Sequence, residues 1–373
     1  MKLLLVNYME TTEPGGINRA VREVGAEMVQ RGHVVTVLQA NPANLPAEEM
    51  CNGFKIIRVK SRVASFLYDL NPATYLYLRK NFTRLNPDVV HVHGYHSLFS
   101  LEVLYFLRNS KRPIIFSPHY GPESHNTLLG SKLWRVHKHV GKSCFHIADK
   151  VICASEFERG NVLRDFPVNP AKIHVIPHGV DGINYKKTRT AKSGISLLYI
   201  GWFIELKGIQ FILKALSELN TELNANATLT LIGKGDYQER LMELARELKV
   251  ADAVFWHPPL FADALRRKLE EADILLLLSR SENFGLVVAE ALALGVPSIV
   301  AKTTALVEFL DEPGCFGIGY PPDPTELAEL IMNVKETDPR VGPLSERIRT
   351  WGQVAGKYEK LYATLLHTAE EPG

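Results

Sequence analysis

The chain has 373 residues, a net charge of +2, 46% hydrophobic and 23% charged residues, the balance of a soluble globular protein too long for one core, so two domains are expected. No apolar run approaches the ~18 residues of a membrane-spanning helix, and the opening Met1-Lys2-Leu3-Leu4-Leu5-Val6-Asn7 is too short for a signal peptide. Cys51, Cys144, Cys153 and Cys315 have no paired or metal-like spacing, which fits a reducing, cytoplasmic setting. Charge is uneven along the chain. Residues 1–180 hold 22 Lys and Arg against 14 Asp and Glu, net +8, and the remainder holds 21 against 27, net −6. A basic first half fits an anionic partner such as a membrane surface or a phosphorylated lipid, which would make the protein peripheral on the inner face of the membrane. No nucleic-acid reading motif is present.

In chain order, residues 2–6 read as a buried strand. The turn Glu13-Pro14-Gly15-Gly16-Ile17-Asn18-Arg19 leads to a helix over 20–30, stopped by Gly32, and a strand over 33–38. This βαβ unit is not the dinucleotide fingerprint: Gly15-Gly16 has the wrong spacing and no acidic residue ends the second strand, which argues against a dehydrogenase. A helix is expected over 71–85. Two strands follow, ending respectively at His93 (with His96 just beyond) and at His119. Histidines at consecutive strand ends point to function rather than packing. Residues 132–142 mix Leu133, Trp134, Val136 and Val140 with cations, the pattern of an interfacial helix as well as of a packed one. A strand over 150–153 precedes a helix from Ser155, with Glu158 as its capping partner.

A short basic linker over 185–194 opens the second half. A strand over 195–200 runs into Gly201-Trp202-Phe203-Ile204-Glu205-Leu206-Lys207-Gly208, where Lys207 can set an ammonium on a diphosphate and Trp202 can stack or pack. A strand over 228–232 ends in the glycine turn Gly233-Lys234-Gly235-Asp236; a helix over 237–248 and a strand over 253–256 follow.

The most informative stretch comes next. Asp273-Ile-Leu-Leu-Leu-Leu278 is a continuous apolar run, as in a parallel strand covered on both faces. After a polar turn with Gly285, the composition becomes helix-forming from Leu286, and Gly295 and Pro297 close the helix. A helix N-terminus then stands at the carboxyl end of a parallel strand, where open α/β sheets bind ligands. The amides of Gly285, Leu286 and Val287, with the helix dipole behind them, suit an anion such as a diphosphate. Glu282 and Glu290 bracket that site. At ~1.5 Å rise per residue they lie at most about 12 Å apart along the helix axis, a reach that fits a ligand with a hydroxylated group on each side of a diphosphate.

Glu282-Asn-Phe-Gly-Leu-Val-Val-Ala-Glu290-Ala, followed by Gly295-Val-Pro, resembles the signature of the retaining family 4 glycosyltransferases, the glycosyltransferase group 1 enzymes, and the similarity runs almost end to end. The resemblance implies an α/β GT-B fold of two Rossmann-like parallel-sheet domains facing across a cleft. Residues 1–184 would form the acceptor-side domain, 185–349 the nucleotide-sugar domain, and a final helix at about 350–373 would cross back to the first. The implied reaction transfers a sugar, with retention and without a metal, from a nucleoside-diphosphate donor to a saccharide or lipid-linked acceptor in glycan, lipopolysaccharide or glycolipid assembly. The donor is a co-substrate, UDP-linked as the first expectation and GDP-linked as the second, and no cofactor is implied. Residues implied in catalysis are His119, Glu282 and Lys207; those implied in donor binding are Gly16, Gly201, Trp202, Lys207, Gly233, Phe284, Gly285, Leu286, Val287 and Glu290. Glu290 would hold the ribose, Glu282 would orient the sugar, and His119 would contact the sugar or relay a proton. The sequence departs from the family at two places: Trp202 stands where an arginine is usual, and His178 where an asparagine is. Arg280 or a cation of the first domain would then supply the second charge on the phosphates. A nucleotide-sugar epimerase or phosphorylase of the same fold, or a binding protein that has lost turnover, are the alternatives.

Overall fold

The computed structural model describes residues 1–41, 44–60, 72–121, 137, 141–184, 194–260, 262–339 and 341–370. The amphipathic stretch 132–142 and the linker 185–194 fall largely outside these residues. The chain forms two compact units, Met1–Gly179 with Trp351–Gly373, and Val180–Thr350.

Unit 1 is built on strands β1 (Lys2–Asn7), β2 (Val34–Asn41), β3 (Glu48–Cys51), β4 (Phe54–Lys60), β5 (Val89–His93), β6 (Ile114–Ser117), β7 (Lys150–Cys153) and β8 (Ile173–Val175). They lie in the order β3-β4-β2-β1-β5-β6-β7-β8. All neighbours pair in parallel except β3 with β4. Its strands are apolar because both faces are covered: Leu4, Val6, Val90, Val92, Phe116 and Val151 are buried. Helix α1 (Gly16–Gln30) connects β1 to β2, and α2 (Pro72–Leu85), α3 (Leu98–Leu107) and α4 (Glu156–Asp165) follow. At α4, Ser155 accepts from the Glu158 amide, the capping contact that the sequence implies.

Unit 2 has strands β9 (Ile195–Ile200), β10 (Ala227–Ile232), β11 (Val254–His257), β12 (Ile274–Leu277), β13 (Ser298–Ala301) and β14 (Cys315–Ile318). They pair in parallel in the order β11-β10-β9-β12-β13-β14. Around them lie α5 (Ile209–Thr221), α6 (Gln238–Glu247), α7 (Ala262–Glu271), α8 (Leu286–Ala293) and α9 (Pro324–Thr337). The last helix, α10 (Trp351–Glu370), belongs to unit 1. Trp351, Val354, Ala355, Tyr358 and Tyr362 are buried on one of its faces, the spacing of an amphipathic helix. Among the described residues no helix is long and apolar enough to cross a membrane.

Both units therefore carry a mostly parallel, Rossmann-like sheet in which the strand order reverses beside the first strand. In unit 1 the reversal lies between β1 and β5, and in unit 2 between β9 and β12. Such switch points leave a crevice at the carboxyl ends of the strands, where ligands bind.

Candidate functional site

In unit 2 the switch point is where most of the sequence-derived site residues meet. Leu197 pairs with Ile274 and Leu198 with Leu275, so the loops leaving β9 and β12 emerge side by side. The Arg280 amide donates to the Leu206 carbonyl at 2.8 Å and stitches the two loops together. This register brings together Lys207 and Glu282, 75 positions apart in the chain, with Nζ and Oε1 2.5 Å apart and both side chains 18% exposed. Each charge is thus neutralised by the other, yet both remain open to solvent.

The Glu282 loop is held from a third strand end, a contact that local sequence patterns give no hint of. The Thr304 hydroxyl accepts from the Glu282 amide at 3.0 Å, and the Thr303 hydroxyl donates to the Ser279 carbonyl at 2.7 Å. Both threonines follow β13.

Helix α8 starts from Gly285, whose φ of 95° is left-handed. A Cβ there would come within 2.8 Å of the tip of the Leu306 side chain, and the left-handed φ is what calls for glycine. The first helical bonds run from the Val288 and Ala289 amides to the Gly285 carbonyl. The amides of Gly285, Leu286 and Val287 precede that ladder, and Leu286 and Val287 are half-buried. At the other end, the Gly295 amide donates to Leu292 and the Val296 amide to Ala291, a Schellman closure ahead of Pro297. Glu290 sits one turn into α8 and is 6% exposed. Phe284 is buried with its ring 5.4 Å from Phe309, so its side chain serves packing.

The glycine turns after β9 and β10 lie back to back. A Cβ on Gly233 would meet the Gly201 carbonyl at 1.9 Å, and the Phe203 amide donates to the Lys234 carbonyl at 2.9 Å. Trp202 projects from this junction, 44% exposed, with the Lys234 ammonium 5.6 Å above its ring. The position that carries a tryptophan is therefore already next to a cation, one the sequence reading did not single out. Arg280 is exposed on the neighbouring loop.

In unit 1, Gly16 is the first residue of α1, and nothing lies within 4 Å of where its Cβ would be. His119 follows β6 with a left-handed φ of 50° and is 8% exposed. Its Nε2 lies 3.2 Å from His93 Nδ1. Its ring also stacks on His178, 5.6 Å between centroids. Burial first, and then the neighbouring His93, His178 and His96, hold the His119 imidazole well below the ordinary histidine range, so it is neutral at physiological pH. Burial brings His178 down to about 4. The backbone of this turn is fixed by Glu158, whose carboxylate accepts from the Tyr120 and Ala154 amides, each at 2.7 Å, and from the His119 amide. The sequence marks His93 and His119 as strand ends but shows Glu158 only as a capping residue.

A second polar cluster at the same sheet edge also escaped the sequence reading. Glu10 accepts from Arg58 Nε at 2.8 Å and Nη2 at 2.9 Å, and from Gln39 and Thr12. Burial opposes the charge on Glu10, and the bonds from Arg58, Thr12 and Gln39 outweigh it, lowering its carboxyl to about 2.

These two edges can be set beside known proteins. Residues 14–182 match Glycosyltransferase Family 4 and residues 183–352 match Glycosyl transferases group 1. A glycogen synthase of Mycobacterium tuberculosis is 26% identical over 100% of this chain and 97% of its own. Sucrose-phosphate synthase from Thermosynechococcus elongatus superposes with a TM-score of 0.81 at 20% identity, covering 98% of this chain and 99% of that one. Anabaena HepE in complex with UDP and glucose superposes with a TM-score of 0.70 at 17% identity, covering 99% and 98%. With the two family matches laid end to end over two Rossmann-like units, the chain belongs to the GT-B glycosyltransferases of group 1.

Proposed function

We propose that this glycosyltransferase moves a sugar from a nucleoside diphosphate to a hydroxyl of a saccharide or lipid-linked acceptor, with retention of anomeric configuration and without a divalent metal. The observation that carries the reading is the Lys207–Glu282 pair beside the uncommitted amides at the start of α8, at the switch point of unit 2. The difficult step is departure of the diphosphate from an oxocarbenium-like sugar. Lys207, the Gly285–Val287 amides and the helix dipole offset the charge that builds on the leaving oxygens, a preorganised electrostatic role. Once phosphate oxygens engage Lys207, the Glu282 carboxylate is released to accept from a sugar hydroxyl. Glu290 holds the ribose. His119, neutral in its buried setting, contacts the sugar or passes a proton. UDP in the Anabaena HepE structure supports a uridine donor ahead of a guanosine one. The net charge of +8 on residues 1–180 supports docking of unit 1 on an anionic membrane surface at the cytoplasmic side.

A thermal-shift series with UDP-glucose, GDP-mannose and ADP-glucose, followed by NMR of the product formed with oligosaccharide and polyprenyl-phosphate sugar acceptors, tests the reading. One donor should raise the melting temperature and be transferred with its anomeric configuration kept, at a rate indifferent to EDTA. An inverted product, or loss in EDTA with rescue by magnesium, would overturn the corresponding part. Donor binding with neither transfer nor hydrolysis would leave a binding protein, and an altered sugar nucleotide formed without acceptor would indicate an epimerase.

A further inference from the structure

His93 and His119 belong to a row of imidazoles inside unit 1. His91 and His93 alternate with Val90 and Val92 along β5, so both project to the same face of the sheet. Their rings stack at 4.1 Å between centroids, 29° from parallel. The His93 and His119 rings lie 15° from parallel with 5.5 Å between centroids, the spacing of two imidazoles joined edge to edge through the 3.2 Å N···N contact. The far end of the row is pinned. His91 Nδ1 lies 2.7 Å from the Tyr362 hydroxyl and His91 Nε2 lies 2.8 Å from the Ser117 hydroxyl. Tyr362 comes from α10, the last helix of the chain, so the row is braced from the opposite end of the sequence. His93 is 3% exposed and sits between two rings, so it cannot swing away.

We propose that His93 is a positioning residue for glycosyl transfer: its Nδ1 shares a single hydrogen with His119 Nε2 and fixes the tautomer of His119. A neutral imidazole carries one N–H, so a bond between two neutral rings has one donor and one acceptor. If His93 donates, His119 must carry its hydrogen on Nδ1; if His119 donates, its Nδ1 is a lone pair. Either arrangement decides whether His119 can give or take a proton at Nδ1, and an uncommitted ring would spend part of its time in the wrong form. The geometry supports a locked state. His91 holds the His93 ring from behind, and the Glu158 carboxylate holds the His119 backbone at its left-handed φ from the side. Burial also keeps His91, at about 3, and His93 uncharged, so no second proton enters the row at neutral pH.

The inference rests on the proposed role of His119, and the experiment separates the two. Nucleoside-diphosphate release from UDP-glucose, GDP-mannose and ADP-glucose would be measured for wild type, His119→Ala, His93→Leu, His93→Asn and the His93→Leu/His119→Ala double variant. Loss of the partner that orients a metal-ligating histidine costs about 10- to 100-fold; by the same orienting logic His93→Leu should lower kcat by about that factor with donor KM within about twofold. His93→Asn, whose side-chain amide falls near the Nδ1 position, should recover most of the loss, and the double variant should be no slower than His119→Ala. Wild-type turnover in His119→Ala would remove the role of His119 and this inference with it. An impaired His119→Ala beside an intact His93→Leu, equal losses in both His93 variants, or losses that multiply would remove this inference alone. Ring ¹⁵N shifts of the unaltered protein give a test independent of any variant: His119 should show one tautomer, and averaged shifts would overturn the proposal.

Discussion

Each sheet edge carries a carboxylate–cation pair next to its switch point, and the two pairs differ in how much water reaches them. In unit 1, Arg58 and Glu10 are 1% and 7% exposed, and the carboxylate takes two bonds from the guanidinium plus those of Gln39 and Thr12. In unit 2, Lys207 and Glu282 are both 18% exposed and meet through one short contact. The first pair is a closely satisfied network: Arg58 donates to Glu10, Glu49 and the Pro46 carbonyl, and almost no water reaches it. The second pair keeps spare capacity, because an ammonium has three donors and a carboxylate about four acceptor sites. One topology thus supports a structural ion pair on one sheet and an available one on the other. Apart from the structural pair, unit 1 offers neutral imidazoles kept uncharged by burial. Around the available pair, unit 2 offers a helix N-terminus.

The largest expected effect would break this contrast on the unit 1 side. Removing one member of a buried pair strands the other charge and costs about 3–5 kcal/mol. Arg58→Met should therefore lower the melting temperature of unit 1 by roughly 10 °C in calorimetry; a shift under about 2 °C would show that the network is not structural. The pair also sets an acid limit. Glu10 is depressed from 4.5 to about 2, so its stabilisation of about 3 kcal/mol is fully present above pH ~4.5 and is lost as pH falls toward 2. Glu10→Gln should flatten that limb of the stability curve.

The unit 2 pair should respond in the opposite currency. Lys207→Met should leave the melting temperature nearly unchanged, since partly exposed pairs contribute about 0–1 kcal/mol. It should slow sugar transfer about 100- to 1000-fold, as loss of one charge-stabilising donor does. A large stability loss with modest kinetic change would make the two pairs alike and dissolve the comparison.

How far the sequence carried depended on whether the signal was local. The strand β12, the turn at Gly285 and the helix α8 were legible because an apolar run, a glycine and a Gly-Pro stop are contiguous. The parallel sheets follow from repeated strand–helix alternation, whereas the expectation of two units comes from chain length and the family resemblance. Other features have no such local signal. The hairpin β3–β4 has no sequence signature because Glu48 to Met50 are exposed and lack an alternating apolar face. Helix α3 has almost no polar face, since Phe99, Leu101, Val103, Leu104 and Leu107 are all buried, so it shows no amphipathic period. Side-chain partnerships made by register, such as Lys207 with Glu282 or His93 with His119, depend on which strands become neighbours. Strand order is a property of the whole sheet, and no window of residues contains it.

The smallest effect concerns Trp202 and would sharpen the account of the charged edge. In the family an arginine at this place is a second cation for the phosphates, and its absence reads as a missing charge. The structure places the Lys234 ammonium over the Trp202 ring instead, an arrangement worth about 0.5–1 kcal/mol at an exposed site. The tryptophan thus steadies a cation supplied by the adjacent turn. Trp202→Arg removes that seat and sets two cations side by side, so UDP should bind about two- to fivefold more weakly in calorimetry, the fold equivalent of that contact energy. Tighter binding would mean that the edge does lack a charge, and that Lys207 and the α8 amides work there without a second cation.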